Sequence, residues 1–175
     1  MTADVKSWLS MVTIRTVQAA DLPGLEWDGQ YVHYRRVYAD AFERAQTGRS
    51  VLWIADLPHV GIIGQVFIQL ICDRPELANG ADRAYLYAFR VRPEFRSQGL
   101  GGRMMQIVDT DLIRRGFHWV TLNVAQENRR ARQLYERAGY RVVAPEPGVW
   151  SYPDHVGVWH TVEEPAWRME KRING

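Results

Sequence analysis

A chain of 175 residues, 46% hydrophobic and 24% charged, fits one ordinary globular domain, expected over residues 11–175 behind an N-terminal extension at 1–10. No apolar run approaches the roughly 18 residues of a membrane span, and the N-terminus lacks a signal-peptide pattern, so a cytoplasmic protein that does not enter a membrane is expected. The net charge is only +2, yet the 22 basic residues are 20 arginines and two lysines, and eleven arginines fall between Arg90 and Arg141. Glu94, Asp109, Asp111, Glu127 and Glu136 interrupt that stretch, which disfavours a nucleic-acid surface but leaves room for a local polyphosphate site. The single cysteine, Cys72, excludes an internal disulfide and reads as a small buried hydrophobe.

In chain order, residues 1–10 show no clear period, and "MVTIRTV" from Met11 predicts a first strand with Val12, Ile14 and Val17 as its apolar positions. "AADLPGLEW" turns into a short helix. "QYVHYRRVYADAFERAQTG" then sets Tyr31, Tyr34, Val37, Tyr38, Ala41, Phe42 and Ala45 at helical spacing before Gly48, giving the first helix pair an aromatic face. "SVLWIADL" and "VGIIGQVFIQLIC", parted by Pro58 and His59, predict an antiparallel hairpin. After the loop "DRPELANGADR", "AYLYAFRVRP" predicts a strand whose Tyr85, Tyr87, Phe89 and Val91 share one face and which ends at Pro93.

Met104, Ile107, Val108 and Leu112 recur at helical spacing up to Gly116, "FHWVTLNV" predicts a strand, and "NRRARQLYERAG" predicts a helix capped by Asn128 and ended by Gly139. "YRVVA" and "AWRMEKRI" are the last two strands. Between them, residues 145–165 hold Pro145, Pro147, Pro153 and Pro165 and read as a long rigid connection. Val149, Trp150, Tyr152, Val156, Val158 and Trp159 are too apolar for it to stay in water.

The stretch "RSQGLGG", Arg96–Gly102, stands between a strand and a helix start, where unpaired N–H groups and the helix dipole favour an anion. Two common phosphate loops fail on spacing. G-x-G-x-x-G from Gly99 would need glycine at Met104, and no G-x-x-x-x-G-K-[ST] string exists.

"VRPEFRSQGLGGRMM" instead resembles the acetyl-CoA motif Q/R-x-x-G-x-G/A of the GNAT acetyltransferase superfamily, met by Arg96, Gly99 and Gly101. "NVAQENRRARQLYERAGYRVV" resembles that family's second motif through Asn128, Ala131, Leu134, Tyr135, Gly139 and Tyr140. The resemblance covers residues 11–173. It implies an α/β fold with a central, mostly antiparallel mixed sheet of about seven strands, splayed between strands 4 and 5 and flanked by about four helices. It further implies an acetyl-CoA-dependent N-acetyltransferase acting on a primary amine, expected to be that of a small molecule, by direct attack in a ternary complex. The alternatives are a protein or peptide N-terminal acetyltransferase and a non-catalytic acyl-CoA sensor.

By that resemblance, coenzyme A pyrophosphate would rest on the backbone of Gln98, Gly99, Leu100 and Gly101, with Arg96, Gly102 and Arg103 nearby. The pantetheine arm would run along Phe89, Arg90 and Val91, the Val91 N–H would polarise the thioester carbonyl, and Asn128 would touch the arm. Tyr135 would be the acid at the departing thiolate, although its spacing also suits a core aromatic. Some relatives carry a glutamate on the fifth strand where this chain has Asn123, so the general base stays open among Tyr85, Tyr87 and the groups of the proline-rich connection.

"YPDHVGVWHTVEE" gathers Asp154, His155, His160, Glu163 and Glu164, but lacks a compact pair such as H-x-x-x-H, so no metal is expected. Its acids and aromatics would suit a cationic amine through charge pairing and cation–π contact. The family leaves a homodimer open, and no sequence feature points to one.

Overall fold

The chain described by the computed structural model, residues 8–173, folds around one seven-stranded mixed sheet. Its strands are β1 (Thr13–Thr16), β2 (Ser50–Leu57), β3 (Gly61–Gln69), β4 (Arg83–Val91), β5 (Trp119–Ala125), β6 (Arg141–Glu146) and β9 (Ala166–Arg172), in the order β1-β2-β3-β4-β5-β9-β6. The β4–β5 pair is parallel, and every other neighbouring pair is antiparallel. Three α-helices, α1 (Arg35–Gln46), α2 (Leu100–Arg114) and α3 (Arg129–Arg137), and a 3-10 helix over Ala19–Glu26 complete the expected mixed α/β fold. No helix among the described residues is long and apolar enough to cross a membrane.

Apolar periodicity decides which face each helix covers. Leu100, Met104, Val108 and Leu112 recur along α2 and are at most 1% exposed, packed with Ile63, Val66, Ile68, Leu86 and Leu122. On the other face, Tyr38 and Ala41 of α1 meet Leu52, Ile54 and Phe67. Each fully buried Leu, Ile, Val or Met contributes about 1.5–3 kcal/mol, so these two clusters hold the sheet between its helical layers.

The parallel pair β4–β5 is short. It joins Arg83–Leu86 to Trp119–Leu122 and stops there, so the strands part with five residues of β4 and three of β5 still to run. Arg83 anchors the paired end, donating to Thr121 Oγ1 and to Glu170 Oε2 of β9, both at 3.0 Å.

A bulge corrects the expected face pattern of β4. Ala88 sits at φ 49°, and the β3–β4 register shifts between Gln65 and Phe67. Gln65, fully buried, donates from Nε2 to the Ala88 carbonyl at 3.1 Å. Tyr85 and Tyr87 stack on each other, and Tyr87 packs with the α1 layer, whereas Phe89 and Val91 turn to the α2–α3 layer. The four residues therefore do not share one face.

The proline-rich connection is a second hairpin, β7 (Val149–Pro153) with β8 (Trp159–Glu163), paired from Val149↔Glu163 to Pro153↔Trp159. Gly148 joins it to the sheet at φ 67°, its carbonyl accepting from Glu164 N at 3.0 Å. Of the expected extension, residues 1–7 lie outside the described residues. Trp8 and Leu9 pack against the main core, so ordered packing begins before Met11.

A Cβ at Gly148 would meet Glu164 O at 1.7 Å. Gly148→Ala should therefore destabilise the protein by more than the ~1–2 kcal/mol of a left-handed non-glycine residue, read as a lower urea midpoint with an unchanged m-value.

Candidate active site

Where β4 and β5 part, the inner edge of β4 has no partner strand beyond Leu86. Arg92 N donates to Ile63 O at 2.8 Å, so strand alternation turns the main chain of Arg90 toward β3 and that of Val91 toward the open edge. The Val91 carbonyl accordingly accepts from Arg96 Nε at 2.8 Å, across the edge rather than across the sheet. An unpaired strand edge inside a fold is a template for an extended ligand.

The glycine loop closes one end of this edge. Gly99, at φ 100°, is the N-cap of α2, a left-handed position that favours glycine, and a Cβ at Gly102 would meet open space. Gly101 lies against the Phe89 ring, and Leu100 is 1% exposed and plugs the core beneath the loop. The first N–H groups of α2 and the positive end of its dipole are thus presented beside exposed Arg96.

The loop is braced by contacts that sequence reasoning missed. Gln98 spends its side chain on structure, accepting from Trp8 Nε1 at 3.0 Å and donating to Glu94 O at 3.2 Å, while the Trp8 ring meets Phe95 edge-on at 4.9 Å. Arg103 donates to Leu9 O at 2.8 Å and to Val12 O at 3.4 Å and is tied to the N-terminal segment. Arg130 of α3 donates to Ser97 Oγ and brings a second guanidinium to the loop beside Arg96.

The other end of the open edge carries phenols. Tyr135, from α3, has its ring 6.5 Å from that of Phe89 and 5.7 Å from that of Tyr140. Burial pushes its pKa up to about 12, with the nearby Tyr85 adding to the effect. Asn128 fulfils its capping expectation, accepting from Ala131 N at 3.1 Å, worth about 1 kcal/mol, and so fixes the start of the helix that carries Tyr135. Asn123 Nδ2 reaches the Tyr85 hydroxyl at 3.5 Å, and Asn123 Oδ1 is buried without a partner. Burial raises the pKa of Tyr85 to about 12 and that of Tyr87 in the same direction, so both phenols stay protonated near neutrality.

On the α1 face of the sheet, Tyr31, His33, Tyr34, Tyr38, Trp150 and Tyr152 form a continuous aromatic wall, with Tyr34 5.0 Å from Tyr152 and Trp150 5.0 Å from Tyr152. His160 stacks on Tyr152 at 5.3 Å and bonds through Nε2 to Asp154 Oδ2 at 2.8 Å. Burial, then the charge of Arg90, lowers the pKa of His33, which keeps its imidazole neutral at pH 7. Of the acids of the connection, Asp154 is committed within the hairpin. Asp154 also accepts from Val156 N and Val158 N, and no group of three or more His, Cys, Asp or Glu among the described residues is placed to hold a metal ion.

Residues 16–140 match the Acetyltransferase (GNAT) family, and the chain belongs to that family. It is 24% identical over 143 residues to the uncharacterized N-acetyltransferase YycN of Bacillus subtilis, covering 80% of this chain and 88% of that one. Its fold is similar to that of the ribosomal-protein-S18-alanine N-acetyltransferase from Escherichia coli, with a TM-score of 0.69 at 23% identity over 94% of this chain and 96% of that one. It is also similar to the spermidine/spermine N-acetyltransferase SpeG from Vibrio cholerae, with a TM-score of 0.69 at 16% identity over 95% of each chain. Acetyl-CoA is the general donor of the family, whereas these relatives act on both protein and small-molecule amines.

Hydrogen bonding from His160 holds the Asp154 carboxyl down at about 2, against an ordinary 3.8. Because the folded value is depressed, the stability it contributes is present above about pH 4 and lost as the pH falls toward 2. The Asp154 carboxyl carbon should titrate near pH 2 by NMR, and Asp154→Asn should remove that part of the acid sensitivity.

Proposed function

We propose that this protein is an acetyl-CoA-dependent N-acetyltransferase that acylates the primary amine of a small molecule in a ternary complex. The observation that carries the reading is the unpaired inner edge of β4, which runs from the glycine loop to Tyr135. Acetyl-CoA fits this arrangement: an extended arm needs a strand edge, and a pyrophosphate needs clustered N–H donors with no Cβ in the way. It supplies an acetyl thioester whose carbonyl carbon is open to an amine.

In this reading the N–H groups of Gln98, Gly99, Leu100, Gly101 and Gly102, with Arg96 and Arg130, hold the pyrophosphate. The main chain of Phe89 and Val91 holds the arm, and Arg90 takes no part in this through its main chain, which faces β3. Asn128 keeps Oδ1 on its helix and has Nδ2 left for the arm. The Val91 N–H meets the negative charge that develops on the thioester oxygen, a contact of the kind whose loss costs about 10²- to 10³-fold in rate.

The amine must lose a proton to attack. At pH 7 the neutral form of an amine with a pKa near 10.4 lies about 4.6 kcal/mol above its ammonium form. The new N–C bond forms as the C–S bond breaks, the nitrogen releases its proton, and the thiolate takes one up. The neutral imidazole of His33, on the aromatic side, takes through water the proton released as the N–C bond forms, when the nitrogen is far more acidic than a free ammonium.

Tyr135 serves the second. With its own pKa near 12, full transfer to a thiolate of thiol pKa near 8.5 is uphill by about 5 kcal/mol, so its hydroxyl stabilises the thiolate by donating a hydrogen bond, and solvent supplies the proton. A protein N-terminus as acceptor is less well supported, because the fifth strand offers the amide of Asn123, bonded to Tyr85, in place of a carboxylate.

Tyr135→Phe should lower kcat by about 10²- to 10³-fold while leaving acetyl-CoA affinity within a few-fold, measured by thiol release and by calorimetry. Gly99→Val should act in the opposite sense, raising the KM for acetyl-CoA with kcat for bound substrate retained. Absence of thiol release with every amine of a broad panel, despite acetyl-CoA binding, would overturn the enzymatic reading in favour of a sensor.

A further inference from the structure

Two arginines lie on β4 and a third, Arg92, directly after it, and Arg83 and Arg92 each face a carboxylate. Arg83 pairs with Glu170 at 3.0 Å, and Arg92 faces Asp28 at 3.7 Å while stacking on Trp27 at 5.1 Å. Arg90 differs. Its guanidinium lies over the Tyr31 ring at 3.9 Å and within 5.6 Å of the Tyr34 ring and 6.0 Å of the Tyr38 ring. It donates once, from Nη2 to the Tyr38 hydroxyl, and its Nε is buried with no partner. No carboxylate of the described residues pairs with it. Glu26 is bound to Arg35 at 2.9 Å, and Asp154 is bound to His160. Glu164 acts on Tyr34 through space without pairing with Arg90.

A guanidinium has five donors, and burying part of it with one hydrogen bond made is unfavourable unless an anion completes the set. Nη1 makes no hydrogen bond and Nη2 makes one, so this pair of nitrogens still has the N–H groups to take a carboxylate through two parallel hydrogen bonds. The aromatic wall expected to receive a cationic substrate is thus already occupied by a cation of the protein itself.

The position of Arg90 says which molecule would bring the anion. The glycine loop, Phe89 and Tyr135 belong to the α2–α3 layer, whereas Arg90 and the tyrosines stand with the α1 layer. A planar thioester carbonyl lying along the edge between them is attacked across its face, from the side away from the arm. Building on the acetyltransferase reading above, we infer that the acceptor carries a carboxylate, as an amino acid or short peptide does, and that Arg90 in its tyrosine cage binds that carboxylate and selects for it.

The test uses the full chain with acetyl-CoA and matched acceptors: L-amino acids and dipeptides, each against its C-terminal amide, with spermidine as an amine bearing no anion. The wild type should prefer the acid over its amide in kcat/KM by about 10- to 100-fold, the range of a charge-assisted pair. Arg90→Gln should bring that ratio near one, and Arg90→Lys should restore part of it. Each ratio is taken within one variant, so general effects on folding or on acetyl-CoA cancel, and Arg90→Lys keeps the test alive if the glutamine variant does not fold. Equal or better use of the amides or of spermidine by the wild type, or an acid preference that survives Arg90→Gln, would overturn the carboxylate assignment alone. Failure of every amine to release thiol would overturn the acetyltransferase reading and this one with it.

Discussion

The structure depends on a parallel strand pair that stops early. β4 and β5 share four registered residues, then separate inside an otherwise continuous seven-stranded sheet. Backbone N–H and C=O groups away from water need partners, so a fold that leaves a strand edge open between two packed layers must be held open by something stronger than the tendency of the strands to close. Here that support comes from both sides. The Arg83–Glu170 pair and the Thr121 hydroxyl fix the closed end, and α2, seated through Leu100, Met104 and Val108, sets the far strand apart.

The bulge at Ala88 gives the opening two chemically different walls. Without it, alternate residues of β4 would carry aromatics to one layer along its whole length. With it, Phe89 and Val91 join the glycine loop and Tyr135 on one side, and Arg90 enters the tyrosine layer on the other. A left-handed non-glycine residue costs about 1–2 kcal/mol, and the buried Gln65 amide bonded to the Ala88 carbonyl offsets part of it. Local strain at a strand centre is thus converted into two chemically different sides of one strand.

Much of this was legible before the coordinates. One helix start followed from Asn128 and helix ends from Gly116 and Gly139 because caps are local chemistry, and the hairpin at Pro58–His59 followed from apolar runs flanking a turn. The β7–β8 hairpin was not legible. Prolines at 145, 147, 153 and 165 argue against strands, yet Pro153 closes β7 and the alternation of Trp150 and Tyr152 is readable only once the hairpin is known. Nor did anything mark Ala88, since alanine is no bulge signal and the glutamine that supports it lies 23 positions away. The bracing of the loop by Trp8, and the pairing state of Arg90, are tertiary facts with no local trace. The second of these carries the proposal of a carboxylate-bearing acceptor.

One further consequence follows from the two-sided strand. On the proposed division, neighbouring residues of β4 answer to different binding partners, so position 90 and the part-buried Tyr31 and Tyr34 can change apart from the donor machinery, whereas Tyr38, 3% exposed, is held by the core. A lineage can therefore change the molecules it acts on while inheriting its donor chemistry intact, and one scaffold can diversify by altering a single side of a single strand.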